Sequence, residues 1–403
     1  MKKSINLILI LYLFLVLGFF LNSDPNGGAF GDYQNHLRVI KDFKENFFKT
    51  LFSYNNYATR HSPILYIIIS FLYKLNIPDQ IIRIISLHTC LLLPIIFFKC
   101  VQLKYPKIDK KFLILFSGLI LISPSFWSLS IWPDSRLFGL IFFCLSIYFF
   151  LKFKIEKNLK NSIKCIITYT ISSYFSPNFA VFSIFYFYFF YLEFKLTKKL
   201  FLIVLINIIL ALPAFLYLLS LESNFLFNPA SPGAKGEADY LNYSNKILII
   251  SSIIFFYIVP FLLVKSIKVK YFDVKLIIAS FLLVILLSTI FNYNFHLTGG
   301  GIFFQLSNFF FKNNYFFFLI CILSFLIILN ICKLNKINYL ILFLLIMSNP
   351  QYTIYHKYFD PLLLMLFLLI FEFRINEKKT FSYRSLFVFY LYTGSFLIIN
   401  FIK

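Results

Sequence analysis

Charged residues are scarce in this 403-residue chain, where Asp, Glu, Lys and Arg together make up 13% of the sequence. A soluble domain carries roughly 25% charged residues, so the composition excludes that class. Hydrophobic residues make up 60% of the chain, and the mean hydropathy is +0.82. Apolar runs alternate with short polar breaks as far as the C-terminus. We therefore predict an all-α polytopic membrane protein with a single domain over residues 1–403.

Motifs that hold metals, disulfides or nucleotides are also missing. The six cysteines show no CxxC spacing, which predicts neither a disulfide nor a metal site. Gly299-Gly300-Gly301 lacks the Lys-Ser/Thr of a P-loop and is interpreted as a turn. Acidic residues number 16 against 38 basic ones, but the basic residues fall in clusters between apolar runs. This pattern indicates membrane topology and no nucleic-acid partner, and no cofactor is expected.

About thirteen apolar segments are predicted to cross the membrane. The segment Pro63–Ile77 has only about fifteen residues, whereas a span needs roughly twenty. If it crosses, every later lysine cluster changes side. If it lies in the outer interface as a juxtamembrane helix, most Lys and Arg residues fall on the inner side, as the positive-inside rule requires. We adopt the second topology, with a cytoplasmic N-terminus and spans at approximately 4–22, 81–101, 112–131, 137–154, 163–176, 178–194, 200–221, 246–264, 275–292, 314–332, 337–349, 358–374 and 384–402.

The longest polar stretch is Ser23–Ser62, which follows the first span directly and forms the first part of the first outer loop, residues 23–80. A carboxylate at the mouth of a membrane helix loses hydration and usually has a function. This polar stretch holds four carboxylates and two histidines, namely Asp24, Asp32, Asp42, Glu45, His36 and His61. A second outer loop, residues 222–245, is rich in Gly, Pro and small residues. It is interpreted as a flexible connector, with closure over substrate as the alternative.

Five segments in order resemble landmarks of the GT-C membrane glycosyltransferases. They are Gly31-Asp32-Tyr33, the run Arg60-His61-Ser62-Pro63-Ile64-Leu65-Tyr66, Arg83 at a helix start, Trp132-Pro133-Asp134-Ser135-Arg136, and Tyr355-His356-Lys357-Tyr358-Phe359-Asp360-Pro361. The family includes protein O-mannosyltransferases, aminoarabinose lipid A transferases and the dolichol-pathway glucosyltransferases. Order and spacing match over residues 1–155, and beyond them only the last segment contributes. The chain departs from the family where Tyr33 replaces the second acid of an acidic pair and His-Ser-Pro replaces His-Pro-Pro.

The resemblance implies a GT-C fold and an inverting transfer of a sugar from a polyprenyl-phosphate donor. The acceptor would be a hydroxyl of a glycan, lipid or protein on the outer face, and the bacterial inner membrane is the expected location. Asp32 matches the family's catalytic carboxylate, which takes the proton of the attacking hydroxyl as a general base. Its alternative role is the N-cap of a helix suggested over Tyr33–Phe48. Asp134 is the second candidate carboxylate, with helix capping as an equally weighted alternative.

Basic residues at outer helix ends are assigned to the phosphate of the donor, with snorkelling to lipid headgroups as the alternative. Lys357 takes the place of an Arg in the family's late Arg-Tyr segment. The predicted phosphate-binding residues are Arg60, Arg136, Lys357, His61 and His356. Sugar-stacking aromatics are predicted at Tyr33, Trp132 and Tyr358. Both tryptophans, Trp127 and Trp132, are expected at the level of the lipid headgroups.

Two other functions remain open. An O-antigen-type polymerase or ligase also acts on lipid-linked sugars outside, but such enzymes generally carry their catalytic Arg and His in a large loop late in the chain. Here the large polar loop comes first. A transporter should show charged residues within its spans or an inverted repeat, and the predicted spans are nearly free of charge. The sequence names neither the sugar nor the acceptor.

Overall fold

The computed structural model describes residues 2–57, 61–221, 242–267, 273–294, 299–332, 335–373 and 375–402. Helices form nearly all the regular structure of these ranges, which contain no β-strand, and an isolated β-bridge joins Ile267 and Ile375. The predicted all-α class is therefore confirmed. The chain divides into two compact units, one formed by Met1–Ala234 and Thr393–Lys403 and the other by Lys235–Tyr392.

The first unit begins with an apolar helix, which is followed by the helices of the first outer loop. Its α-helices are Lys2–Phe20, Ala29–Glu45, Phe47–Phe52, Ile64–Lys74, Asp79–Cys90, Leu92–Lys104, Lys110–Gly118, Pro124–Ile131, Ser135–Glu156, Leu159–Phe175, Ser183–Phe194 and Lys198–Ser220. Short 3-10 helices lie at Tyr54–Asn56, Leu119–Ile122 and Pro177–Phe182.

The described α-helices of the second unit range from 4 to 21 residues. Its α-helices are Tyr243–Leu263, Val274–Ser288, Gly301–Leu306, Tyr315–Cys332, Lys336–Met347, Leu362–Leu369 and Glu377–Thr380. The last helix of the chain is Tyr383–Ile402. Each predicted span overlaps at least one helix of the described ranges.

Within the described ranges, six helices are long and apolar enough to cross a membrane. A bent pair, Lys110–Ile122 and Pro124–Ile131, meets at 64° and makes a seventh if it counts as one span. The six are Asp79–Lys104, Ser135–Glu156, Lys198–Ser220, Tyr243–Leu263, Tyr315–Cys332 and Tyr383–Ile402. The molecule is thus an all-α protein whose apolar helices suit a membrane.

The bend in that pair has a local cause at Pro124. Proline has no N–H to donate to the preceding turn, and it forces the residue before it out of the helical region. Ser123 accordingly adopts an extended conformation with ψ 126°, and its hydroxyl accepts a hydrogen bond from the amide of Phe126. One helix therefore ends, and the next begins at an angle to it.

Two helices of the first outer loop pack against each other. We call Ala29–Glu45 the first loop helix and Ile64–Lys74 the second loop helix. They share a buried core to which the first contributes Val39, Ile40 and Phe43 and the second Leu65, Tyr66 and Ile69. The second loop helix has 11 residues and is about 16 Å long, roughly half the thickness of the hydrocarbon core. Its length and packing favour the topology in which it stays on one side of the membrane.

That topology can be tested by cysteine labelling. Ser53 precedes the second loop helix and Asn76 follows it, so we expect Ser53→Cys and Asn76→Cys to react with a membrane-impermeant maleimide from the same, outer side. Lys157→Cys, at the predicted inner end of the Ser135–Glu156 helix, is the control and should react only after the membrane is permeabilised. Reaction of Ser53 and Asn76 from opposite sides would refute the thirteen-span topology.

Candidate functional site

Three elements of the first unit converge on one cluster of polar side chains. The first loop helix carries Asp32 and His36, and His61 lies just before the second loop helix. Asp134 and Arg136 lie at the start of the Ser135–Glu156 helix. His36 interacts electrostatically with each of the other four residues. We call Asp32, His36, His61, Asp134 and Arg136 the acid-histidine cluster.

Asp134 is the most constrained member of the acid-histidine cluster. It is the N-cap of the Ser135–Glu156 helix, where its Oδ1 accepts a hydrogen bond of 2.7 Å from the amide of Arg136. Its Oδ2 lies 3.6 Å from Nη2 of Arg136. The side chain is buried, and the positive end of the helix dipole stabilises its charge. The predicted capping role of Asp134 is therefore confirmed, and the same carboxylate forms a buried ion pair.

The electrostatic balance keeps Asp134 ionised. Burial by itself raises the pKa of this carboxyl, but Arg136, the two histidines and the hydrogen bond from the Arg136 amide together hold the pKa well below its ordinary value. Because burial keeps His36 neutral at pH 7, Arg136 is the principal cation beside Asp134. A carboxylate of such low pKa binds protons weakly and is a poor general base.

The two histidines lie edge to face. Their ring centroids are 4.9 Å apart, and the His36 ring also packs 4.8 Å from that of Tyr66. Burial first, and His61 second, lower the pKa of His36 to about 3, although Asp134 and Asp32 oppose the shift. His36 is therefore a neutral imidazole at pH 7. His61 is half-buried, and its Nδ1 lies 3.2 Å from Oγ of Ser135.

Asp32 lies in the first turn of the first loop helix and is not its N-cap. The helix begins at Ala29, and Oδ2 of Asp24 accepts hydrogen bonds of 3.0 Å from the amides of Gly28 and Phe30. This arrangement requires Gly28 at φ 108°, a conformation that glycine adopts at little cost. The predicted helix start near Tyr33, and with it the capping alternative for Asp32, are thus corrected: Gly28 is the N-cap, and the Asp24 side chain accepts hydrogen bonds from two amides at the helix start. Asp32 is half-buried and one helical turn before His36.

The predicted sugar-stacking residues Tyr33 and Trp132 are both buried, with 1% and 4% of their surface exposed. The Tyr33 hydroxyl donates a hydrogen bond to Asp79, and its ring lies 5.9 Å from that of Trp132. The guanidinium of Arg83 covers Trp132 at 3.7 Å. Trp127 is also buried, and its Nε1 donates to Oγ of Ser23. Neither indole is therefore open at the surface of this unit, and both pack inside it.

The late segment of the resemblance lies in the second unit. The ring of His356 packs between Phe256, at 5.0 Å, and Tyr257, at 5.4 Å. Nζ of Lys357 lies 5.2 Å from the centre of the Tyr355 ring, and the Tyr358 ring lies 5.3 Å from that same ring. The three predicted site residues, His356, Lys357 and Tyr358, are half-buried. Their assignment to donor phosphate and sugar stays a prediction.

Some predicted features lie outside the described residues. Arg60 is one of them, and residues 222–241 of the second outer loop are others. Among the residues that are described, no group of three or more His, Cys, Asp and Glu side chains has the arrangement of a metal site.

The sequence analysis named His36 in the first outer loop without giving it a role, and it overlooked Asp79. Asp32 and His36 are four residues apart, which places both on one face of a helix. The spacing alone could therefore have indicated that His36 lies beside Asp32. Asp79 carried no comparable signal, because its tyrosine partners come from two other helices.

Comparison with protein-family models, with curated proteins and with solved structures found no match for this chain. The fold defines the class, an all-α membrane protein. Any more particular assignment depends on the chemistry of the acid-histidine cluster.

Proposed function

We propose that this protein is a membrane glycosyltransferase of the GT-C type, which transfers a sugar with inversion from a polyprenyl-phosphate donor to an acceptor hydroxyl. The observation that carries the proposal is the acid-histidine cluster, in which two carboxylates, two imidazoles and one guanidinium come together from the first outer loop and the start of a membrane helix. Inverting transfer needs one base for the acceptor and cations for the leaving phosphate. The cluster offers both kinds of group.

Asp32 is the better general base of the two carboxylates. In the reaction the acceptor oxygen attacks the anomeric carbon, the bond from that carbon to the phosphate oxygen breaks, and the base takes the hydroxyl proton. The base must reach the acceptor, and Asp32 is half-buried whereas Asp134 is only 3% exposed. Asp134 is also held by Arg136 and by its capping hydrogen bond. We assign Asp134 to fixing the guanidinium and Asp32 to the chemistry.

Arg136 and His61 are the cluster's candidates for the donor phosphate. A guanidinium offers five donors in a planar fork, so the contact of Nη2 with Asp134 leaves it geometrically able to face a phosphate as well. His61 lies beside Ser135, at the positive end of the helix dipole, where an anion is favoured. Lys357, His356 and Tyr358 are proposed for the donor, and Arg60 for its phosphate, on the sequence resemblance alone.

The finer architecture belongs to the same proposal. We propose a GT-C fold with about thirteen spans. The cluster would face the outer side of a bacterial inner membrane. The support is the length of the second loop helix and the lysine distribution of the sequence.

Mass spectrometry of surface glycans and lipid-linked sugars in a deletion strain tests this function. We expect one sugar to be lost from a surface glycan, lipid or protein and its polyprenyl-phosphate form to accumulate, with both changes reversed by the wild-type gene. A polymerase or ligase would instead change chain length or attachment while leaving every sugar present. Unchanged glycans and unchanged lipid-linked sugars would contradict the proposal.

A further inference from the structure

Asp79 connects both loop helices to the next membrane helix through a single oxygen. Its Oδ1 accepts hydrogen bonds from the hydroxyl of Tyr33, on the first loop helix, and from that of Tyr73, on the second. Asp79 itself lies in the first turn of the Asp79–Cys90 helix, where the dipole favours a carboxylate. Two tyrosines of the loop therefore share one acceptor on a membrane helix.

Tyr33 also contacts the segment that leads to the acid-histidine cluster. The buried ring of Tyr33 packs on Trp132, which lies two residues before Asp134. Arg83 stacks on Trp132, and its Nε and Nη2 donate to the carbonyl of Ile131 and to Asn22. Arg83 and Tyr33 therefore both contact Trp132.

The hydrogen bond of Tyr33 restrains the rotation of the first loop helix about its axis. Asp32 is its neighbour in sequence, and His36 lies three residues further on, so the rotation of this helix about its axis sets where both side chains point. Burial and the neighbouring Asp79 carboxylate raise the pKa of Tyr33, so its hydroxyl stays protonated and continues to donate.

We propose that the hydrogen bond from Tyr33 to Asp79 is a positioning device that holds Asp32 in line with the acceptor, and that Tyr33 is a positioning residue and not a platform for the sugar. This inference rests on the proposed function. Tyr73 donates to the same oxygen and also interacts with the Tyr33 hydroxyl, but it lies near the far end of the second loop helix, so loss of its hydroxyl should leave Asp32 in place.

Two matched substitutions separate this role from sugar stacking. Tyr33→Phe and Tyr73→Phe each remove one hydroxyl from the same acceptor atom and keep the ring. We expect Tyr33→Phe to lower kcat roughly tenfold to a hundredfold at unchanged donor KM, because small misplacements of a catalytic group have effects of this size. Tyr73→Phe should stay within about threefold of wild type. A stacking role predicts near wild-type kcat for Tyr33→Phe, since phenylalanine stacks as tyrosine does.

A double-mutant cycle and a measurement without substrate complete the test. If the bond acts through Asp79, the kcat losses of Tyr33→Phe and Asp79→Ala should not add in the double variant. Hydrogen exchange should become faster in peptides covering residues 29–45 for Tyr33→Phe but not for Tyr73→Phe. Wild-type kcat and wild-type exchange in Tyr33→Phe would overturn the inference. Faster exchange in a protein that transfers no sugar would preserve the positioning role for the helix and reject the glycosyltransferase instead.

Discussion

Asp32→Asn is expected to lower the rate of sugar transfer by roughly a hundredfold to ten-thousandfold, the range typical of a lost general base. The amide has nearly the shape of the carboxylate but cannot take the acceptor's proton. Membrane insertion and donor binding should be unchanged, because Asp32 lies in the first turn of the loop helix without capping it. The measurement is transfer by the purified protein in nanodiscs, with donor binding followed separately.

Asp24→Asn is the matched control. It removes one charge from the same loop, through the same isosteric change, at a residue whose side chain accepts hydrogen bonds from two amides at the start of the first loop helix. The side-chain oxygen of Asn can accept the same two hydrogen bonds, so this variant should retain both its fold and its transfer rate. If Asp32→Asn transfers sugar near the wild-type rate, the base assignment is wrong, and Asp134 becomes the next carboxylate to test.

Asp134→Ala is expected to destabilise the protein by about 3–5 kcal/mol, the cost typical of breaking a buried ion pair by removing one partner. The substitution removes the carboxylate that faces the largely buried guanidinium of Arg136, and it also removes the N-cap of the Ser135–Glu156 helix. Asp134→Asn keeps an oxygen for the cap and should be less damaging. Unfolding in mixed micelles by titration with a denaturing detergent measures both.

Asp109 supplies the comparison for this second prediction. It caps the Lys110–Gly118 helix through the amide of Lys111 and pairs with the Lys111 ammonium at 3.2 Å, but 55% of its side chain is exposed. Water and salt screen such a pair, so Asp109→Ala should cause a much smaller loss. Equal losses for Asp109→Ala and Asp134→Ala would mean that capping, and not the buried charge pair, accounts for the effect.

The sequence by itself determined the features that depend on composition and on near neighbours. Scarce charge and long apolar runs predicted an all-α membrane protein, because buried backbone in lipid must pair within its own helix. The capping by Asp134 was foreseen as one alternative, since a cap depends on residues two or three positions away. The short Pro63–Ile77 segment was interpreted as a helix that does not cross, and a helix of 11 residues is found there.

The start of the first loop helix was a local feature that the sequence analysis missed. Asp24 reaches the amides of Gly28 and Phe30 only because Gly27 and Gly28 take left-handed conformations, at φ 63° and φ 108°. The two consecutive glycines indicate a turn just before the helix, but this signal was not used to place the helix start. The first loop helix therefore starts earlier than predicted, and Asp32 moves from the helix end into its first turn.

Only the tertiary structure decided which side chains meet. Tyr33 contacts Asp79, which is 46 residues away in the sequence, and His61 contacts Ser135, which is 74 residues away. No periodicity of the sequence predicts such pairs. They depend on how the loop helices pack on the membrane helices, which the shared apolar core of Ile40, Phe43 and Tyr66 determines. The same packing buries Trp132 beneath Arg83, where the sequence had suggested an indole at the lipid headgroups. A residue's type sets what chemistry it can perform, but its burial and its partners are set by contacts that form only once the chain has folded.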